Sequence, residues 1–317
     1  MVQTIKPGRY AAIDIGTVTS RILVADVDVD GALRTLARRT VITNLGQGVD
    51  ESRRLLPEAI ERVAAAIADF MDVAKGLGPG ADGEPVRVSA VTTSAARDAQ
   101  NGGDLVARLA QLGVDLQIIP GEREAALSFA GVSSAFPGQR IAVVDAGGGS
   151  TEIIVGAAGG APEFVHSFNV GCRRATERFL KSDPPTSDEI AAMRAWVGDE
   201  LRKDLPDASI LEGCRMVAVA GTATSSVSIR EAMEVYDSER VHLAEMTTAD
   251  LESICNRLAA MTVAERQQVV GLEPKRAPVI VAGLVILQEV MRLGGFASFT
   301  VSESDILAGI IYAAACE

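Results

Sequence analysis

The sequence predicts an α/β fold built from two related lobes, and three observations carry that prediction. A strand–turn–strand device occurs twice, as Asp14-Ile15-Gly16-Thr17-Val18-Thr19-Ser20-Arg21 and as Asp145-Ala146-Gly147-Gly148-Gly149-Ser150-Thr151-Glu152. Strand-like β-branched runs come first and then alternate with helix-period stripes, the order that lays helices on sheets. The chain is 48% hydrophobic but only 4% aromatic, so its core is aliphatic and alanine-rich, which suits layered helices and sheets. A length of 317 residues accommodates two domains of ordinary size.

Each copy of the device follows an apolar run (10–13 and 141–144) and closes into β-branched residues. After the first copy, 21–28 and 33–43 read as two further strands of a meander turning at Asp30-Gly31. Pro57 then opens a helix over 57–75, with Ile60, Val63, Ala64, Ile67, Phe70 and Met71 on one stripe. A strand over 86–91, a helix over 104–112, a strand over 116–119 and a helix over 122–134 lead into the second copy. Strands near Ile153 and Phe164 follow, and Thr186 with Glu189 is spaced as a capping box for the helix carrying Trp196. A buried strand over 216–220 ends at Gly221-Thr222, and the last third is mostly helical, closing with a helix over 304–315. The expected division is 1–127 and 128–317, with the final helix packing back on the first lobe.

Composition narrows the function classes. The longest apolar run, 279–287, is about half of what a membrane helix needs, so it reads as a buried helix. No signal-peptide order opens the chain, and a cytoplasmic protein with no membrane partner is expected. Cys172, Cys214, Cys255 and Cys316 form no CxxC pair and read as reduced structural thiols. A formal charge of −12 argues against nucleic acid as a partner. The same charge obliges any polyanion site to be locally basic or to hold a cation.

The residues that suggest chemistry cluster at the turns. Glycine removes the Cβ that would keep an anion from main-chain N–H groups, so Gly16 and the run Gly147, Gly148, Gly149 suit phosphate. Thr17, Thr19 and Ser150 add hydroxyl donors and Arg21 a cation, although Arg21 also reads as an exposed strand residue. Asp145 and Glu152 bracket the second turn, and a carboxylate pair beside a phosphate cradle suits Mg²⁺. In Thr92-Thr93-Ser94-Ala95-Ala96-Arg97-Asp98, Ser94 and Arg97 at a helix start suit an anion, or the hydroxyls form an ordinary N-cap. Glu124, in the first turn after Pro120-Gly121, either complements the helix dipole or points at a phosphate as a general base. Gly221 and Thr222 form a third anion-facing turn or a plain cap, and the isolated His166 and His242 read as structural.

Taken together, these motifs resemble the exopolyphosphatase and guanosine pentaphosphate phosphohydrolase family, of the actin-like ATPase superfamily. The likeness runs through Ala12-Ile13-Asp14-Ile15-Gly16-Thr17, Thr93-Ser94-Ala95-Ala96-Arg97-Asp98-Ala99, Gly121-Glu122-Arg123-Glu124-Ala125, Val144 to Glu152, Val170-Gly171-Cys172, Ala220-Gly221-Thr222-Ala223-Thr224 and Val301-Ser302-Glu303-Ser304-Asp305-Ile306-Leu307. Leu45-Gly46-Gln47-Gly48-Val49-Asp50 and Ser182-Asp183-Pro184-Pro185-Thr186 look like the short actinobacterial form. The resemblance implies two ribonuclease-H-like lobes with polyphosphate in the cleft between them. It implies that Glu124 activates water, that Asp145, Glu152 and Arg97 serve catalysis, and that both turns hold phosphate. Mg²⁺, with Mn²⁺ as a substitute, is expected on Asp145, Glu152 and Asp14. The expected partners are inorganic polyphosphate or guanosine pentaphosphate, and a second copy in a homodimer. Val18 stands where the family usually has Asn, and Arg123 where an acid often precedes the catalytic Glu.

Overall fold

The structure, a computed structural model, describes residues 5–316. They form two compact units, one running up to Val132 and resuming at Asp305, the other Ser133–Ser304. The expected boundary at 127/128 falls inside the helix Gly121–Ser133, and the final helix belongs to the first unit.

In the first unit, β1 (Gly8–Ile15), β2 (Thr19–Val27) and β3 (Leu33–Ile42) form an antiparallel meander. The parallel strands β4 (Arg87–Thr92) and β5 (Leu116–Ile118) continue the sheet beyond β1, in the order β3-β2-β1-β4-β5. Successive strand side chains face opposite ways, and β1 uses both faces. Ala11, Ile13 and Ile15 enter one aliphatic core with Ile60, Val63, Ile67 and Phe70 of the helix Pro57–Gly76. Tyr10 and Ala12 enter another with Leu307, Ile310 and Ile311 of the helix Ile306–Ala315. That last helix meets Gly121–Ser133 backbone to backbone. A Cβ on Gly309 would lie 1.8 Å from Leu127 O, and one on Gly131 would lie 1.9 Å from Asp305 O. Only glycine permits that approach.

The second unit repeats the plan. Strands β6 (Arg140–Ala146), β7 (Thr151–Ala157) and β8 (Phe164–Phe168) form the meander, and β9 (Arg215–Val219) and β11 (Ser298–Val301) add in parallel. With the antiparallel edge strand β10 (Glu245–Thr247), the order is β10-β11-β9-β6-β7-β8. From β8 to β11 this matches the first sheet in order and sense, so the chain is an α/β protein of two ribonuclease-H-like sheets. The apolar run 279–287 lies almost wholly in the buried helix Ile280–Gly294. Thr186 and Glu189 close a capping box at the start of the helix Ser187–Asp204. Among the described residues all four cysteines are free, and no helix is long and apolar enough to cross a membrane.

Candidate active site

The two predicted turns are the same hairpin in the same register. Asp14 lies opposite Arg21 and Asp145 opposite Glu152. Gly16 N–H donates to Thr19 O at 2.8 Å, and Gly147 N–H donates to Ser150 O at 3.0 Å. The copies differ in what faces the aspartate: a cation in the first unit and a second carboxylate in the other.

In the first unit, Arg21 donates from Nε and Nη2 to Asp14 Oδ2 at 3.1 and 2.6 Å, and from Nη1 to Asp305. Arg38 Nη2 reaches the same Asp305 oxygen at 3.1 Å, while Asp305 Oδ1 caps the final helix at Leu307 N–H. The two buried acids share one guanidinium and titrate apart. Burial pushes the Asp14 carboxyl up, outweighing Arg21. Burial also acts on Asp305, but Arg21 and Arg38 outweigh it and hold that carboxyl below its usual range. Arg21 is therefore the compensating charge of a carboxylate cluster, because a buried acid without a partner cation is expensive.

The helix Ser94–Asp98 links the first turn to Glu124. Ser94 Oγ lies 3.1 Å from Thr17 Oγ1, and Thr92 Oγ1 donates to Ile15 O at 2.8 Å. The Thr93 side chain makes no cap. From the same helix, Arg97 Nη1 donates to Ile119 O at 3.1 Å and to Glu124 Oε2 at 3.3 Å. Thr17, Ser94, Arg97 and Glu124 are thus brought together by one short helix.

In the second unit Asp145 and Glu152 are both buried, at 8% and 1% exposure. Directly opposed strand residues have Cβ atoms about 4.5–5.5 Å apart, where like charges repel. Ser167 on β8 donates its hydroxyl to Glu152 Oε1 at 2.6 Å. Two carboxylates completed by substrate oxygens fit Mg²⁺, which seldom uses an all-protein cage. Among the described residues no group of three or more His, Cys, Asp and Glu is placed to hold a metal.

Gly221 and Thr222 open the helix Ala220–Arg230, which starts without a side-chain cap. A Cβ on Gly221 would lie 1.9 Å from Arg276 Nη1, so that guanidinium lies directly on the helix start. Thr222 is buried, with its Oγ1 2.3 Å from where a Cβ on Gly283 would stand. His166 lies 3.6 Å from Asp204 and packs on Phe168, whereas His242 Nδ1 accepts from Glu303 N–H. Burial pushes the Cys172 thiol up. Sequence reasoning missed Arg38, Ser167 and Arg276, and singled out Asp305 only as part of a motif. Ser167 alone had a local signal, since it sits opposite Glu152 across β7 and β8.

Comparison with known proteins places these features in a family. The profile of the Ppx/GppA phosphatase family matches residues 23–315. "Exopolyphosphatase 2" of Mycobacterium tuberculosis is 38% identical over 95% of this chain and 97% of its own length. A crystal structure of an exopolyphosphatase-like protein is similar with a TM-score of 0.89 at 30% identity, covering 98% of each chain. The Aquifex aeolicus PPX-GPPA enzyme is similar with a TM-score of 0.79 at 28% identity, covering 96% of this chain and 99% of that one.

Proposed function

The chain belongs to the Ppx/GppA phosphatase family, and we propose that it is an exopolyphosphatase, releasing orthophosphate from the ends of inorganic polyphosphate. The observation that carries this reading is the second hairpin, with two buried carboxylates facing each other beside a glycine turn. Its arrangement suits a phosphoanhydride and a hard cation better than any neutral substrate. The mycobacterial relative, named as an exopolyphosphatase along nearly its whole length, points to the same chemistry.

In this reading Glu124 accepts a proton from the attacking water, as a general base requires. Arg97 orients Glu124 and adds positive charge, and the amides and hydroxyls of Gly16, Thr17, Thr19, Ser94 and 147–150 hold phosphate oxygens. Asp145 and Glu152 would hold Mg²⁺, which would supply neutralising charge for the phosphoryl group, a large part of phosphoryl-transfer catalysis. Asp14 and Asp305 hold Arg21 beside the first turn, on the strand that leaves it.

The deciding experiment measures phosphate release from tripolyphosphate, from long-chain polyphosphate and from guanosine pentaphosphate, each with and without Mg²⁺. Release from polyphosphate at a higher kcat/KM than from the nucleotide is the expected result. Preference for the nucleotide would make the protein a guanosine pentaphosphate phosphohydrolase. Binding without release under all metal conditions would make it a polyphosphate sensor.

A further inference from the structure

The carbonyl groups of the second glycine turn are all held from one side. Cys172 N–H donates to Gly147 O at 3.0 Å, and Arg173 and Arg174 N–H donate to Gly148 O at 2.9 and 3.3 Å. Arg174 Nε then donates to Gly149 O at 3.0 Å. The main-chain donors are the first turn of the helix Cys172–Phe179, whose N–H groups have no acceptors within their own helix.

This anchoring fixes the direction of the opposite groups. In a trans peptide the C=O of one residue and the N–H of the next point in opposite directions. Holding the carbonyls of Gly147, Gly148 and Gly149 toward the helix therefore turns the N–H groups of Gly148, Gly149 and Ser150 away from it. The anchor needs contact at the backbone, and Gly171 provides it. Its φ of −138° is open to any residue. A Cβ there, however, would lie 2.4 Å from the carbonyl atoms of Gly148 and from the carbonyl carbon of Gly149. Glycine is required for space, not for backbone freedom.

The first turn shows the same device on a different scaffold. Gly46 N–H donates to Thr17 O at 2.9 Å, and Thr43 and Asn44 N–H donate to Val18 O at 3.0 and 2.9 Å. The N–H groups of Val18 and Thr19 are thereby turned the other way. A Cβ on Gly46 would lie 2.2 Å from Thr17 Cγ2.

We propose that Gly171 and Arg174 are positioning residues that pre-orient the amides of Gly148, Gly149 and Ser150 for phosphate by anchoring the carbonyls behind them. The proposal rests on the reading of 147–150 as a phosphate-holding turn. Neither residue needs to touch substrate. Preorganised donors lose no energy to reorientation when charge arrives, which is why small displacements of such groups are costly.

The test combines kinetics with amide resonances of ¹⁵N-labelled protein titrated with tripolyphosphate. In the unmodified protein, the Gly148, Gly149 and Ser150 amides are expected to shift on titration. In Gly171→Ala, kcat/KM falls on the order of 10²-fold, as for a displacement near 1 Å. In Arg174→Met, which removes the Nε hydrogen bond to Gly149 O, it falls about threefold to tenfold. In both variants those three amides shift less and saturate at higher tripolyphosphate, while the remaining spectrum stays dispersed as in a folded protein. Unchanged amide responses in both variants would overturn the proposal, as would hydrolysis in the unmodified protein without any response at these amides. If Gly171→Ala does not fold, Arg174→Met alone decides. Amide responses without phosphate release would remove the exopolyphosphatase reading and leave the positioning role standing.

Discussion

Ser167→Ala removes one hydroxyl from beneath Glu152 and tests whether that carboxylate must be held in place. Glu152 is 1% exposed and opposes Asp145 across the hairpin, so its orientation is set by its neighbours. The Ser167 hydrogen bond, at 2.6 Å, is a short charge-assisted one. Hydrogen bonds to charged groups contribute about 1.5–3 kcal/mol. At about 1.4 kcal/mol per tenfold, that is roughly 10- to 100-fold, the range found when outer-shell partners of metal-binding carboxylates are removed. The assay is initial-rate phosphate release from polyphosphate across a Mg²⁺ titration. Ser167→Ala should raise the Mg²⁺ concentration for half-maximal rate by that factor, with the substrate KM at saturating Mg²⁺ little changed. Ser167→Thr retains the hydroxyl and should recover most of the loss. An unaltered Mg²⁺ dependence in Ser167→Ala would refute the assignment of Glu152 as a metal ligand oriented by Ser167.

The remaining predictions concern stability and metal dependence. Asp305→Asn keeps an N-cap side chain of equal rank but removes the charge that faces Arg21 and Arg38. Because the folded carboxyl titrates below its ordinary value, its stabilisation is present above about pH 4 and is lost as pH falls through the folded value. Urea unfolding should show a deficit of up to about 3–5 kcal/mol at pH 7 that shrinks below pH 4; a pH-independent deficit would contradict this. Thr186→Ala breaks the capping box of Ser187–Asp204 and should cost about 1 kcal/mol in the same assay, leaving turnover intact. Chelation of divalent metal should abolish phosphate release, with Mg²⁺ or Mn²⁺ restoring it, and unaltered release in chelator would exclude a metal on Asp145 and Glu152.

Much of this architecture was legible because its signals are local. The two hairpins announce themselves by an aspartate, a glycine two residues on and flanking β-branched runs, and their registers then coincide. The stripe of Ile60, Val63, Ile67 and Phe70 and the Thr186–Glu189 box are equally local, set by helix periodicity and capping geometry. What escaped was the tertiary wiring. Asp305 sits 284 positions from Arg21, so nothing in the spacing revealed that Arg21 would be shared by two buried acids. Arg276 resting on Gly221, and Gly309 seated against the Leu127 carbonyl, are likewise contacts between elements far apart in the chain. The helix Cys172–Phe179 reads as a single Gly-Cys motif in sequence, yet its first turn anchors three carbonyls of the glycine turn.

Hydrolysis as proposed depends on Glu124 taking a proton from water, and single-turnover phosphate release by Glu124→Gln measures that role directly. Glutamine preserves size and a hydrogen-bond acceptor for Arg97 but accepts no proton from water. A rate lowered by about 10²–10⁴-fold, with tripolyphosphate still bound at near-unmodified affinity, is the predicted result. Release at the rate of the unmodified protein would contradict it.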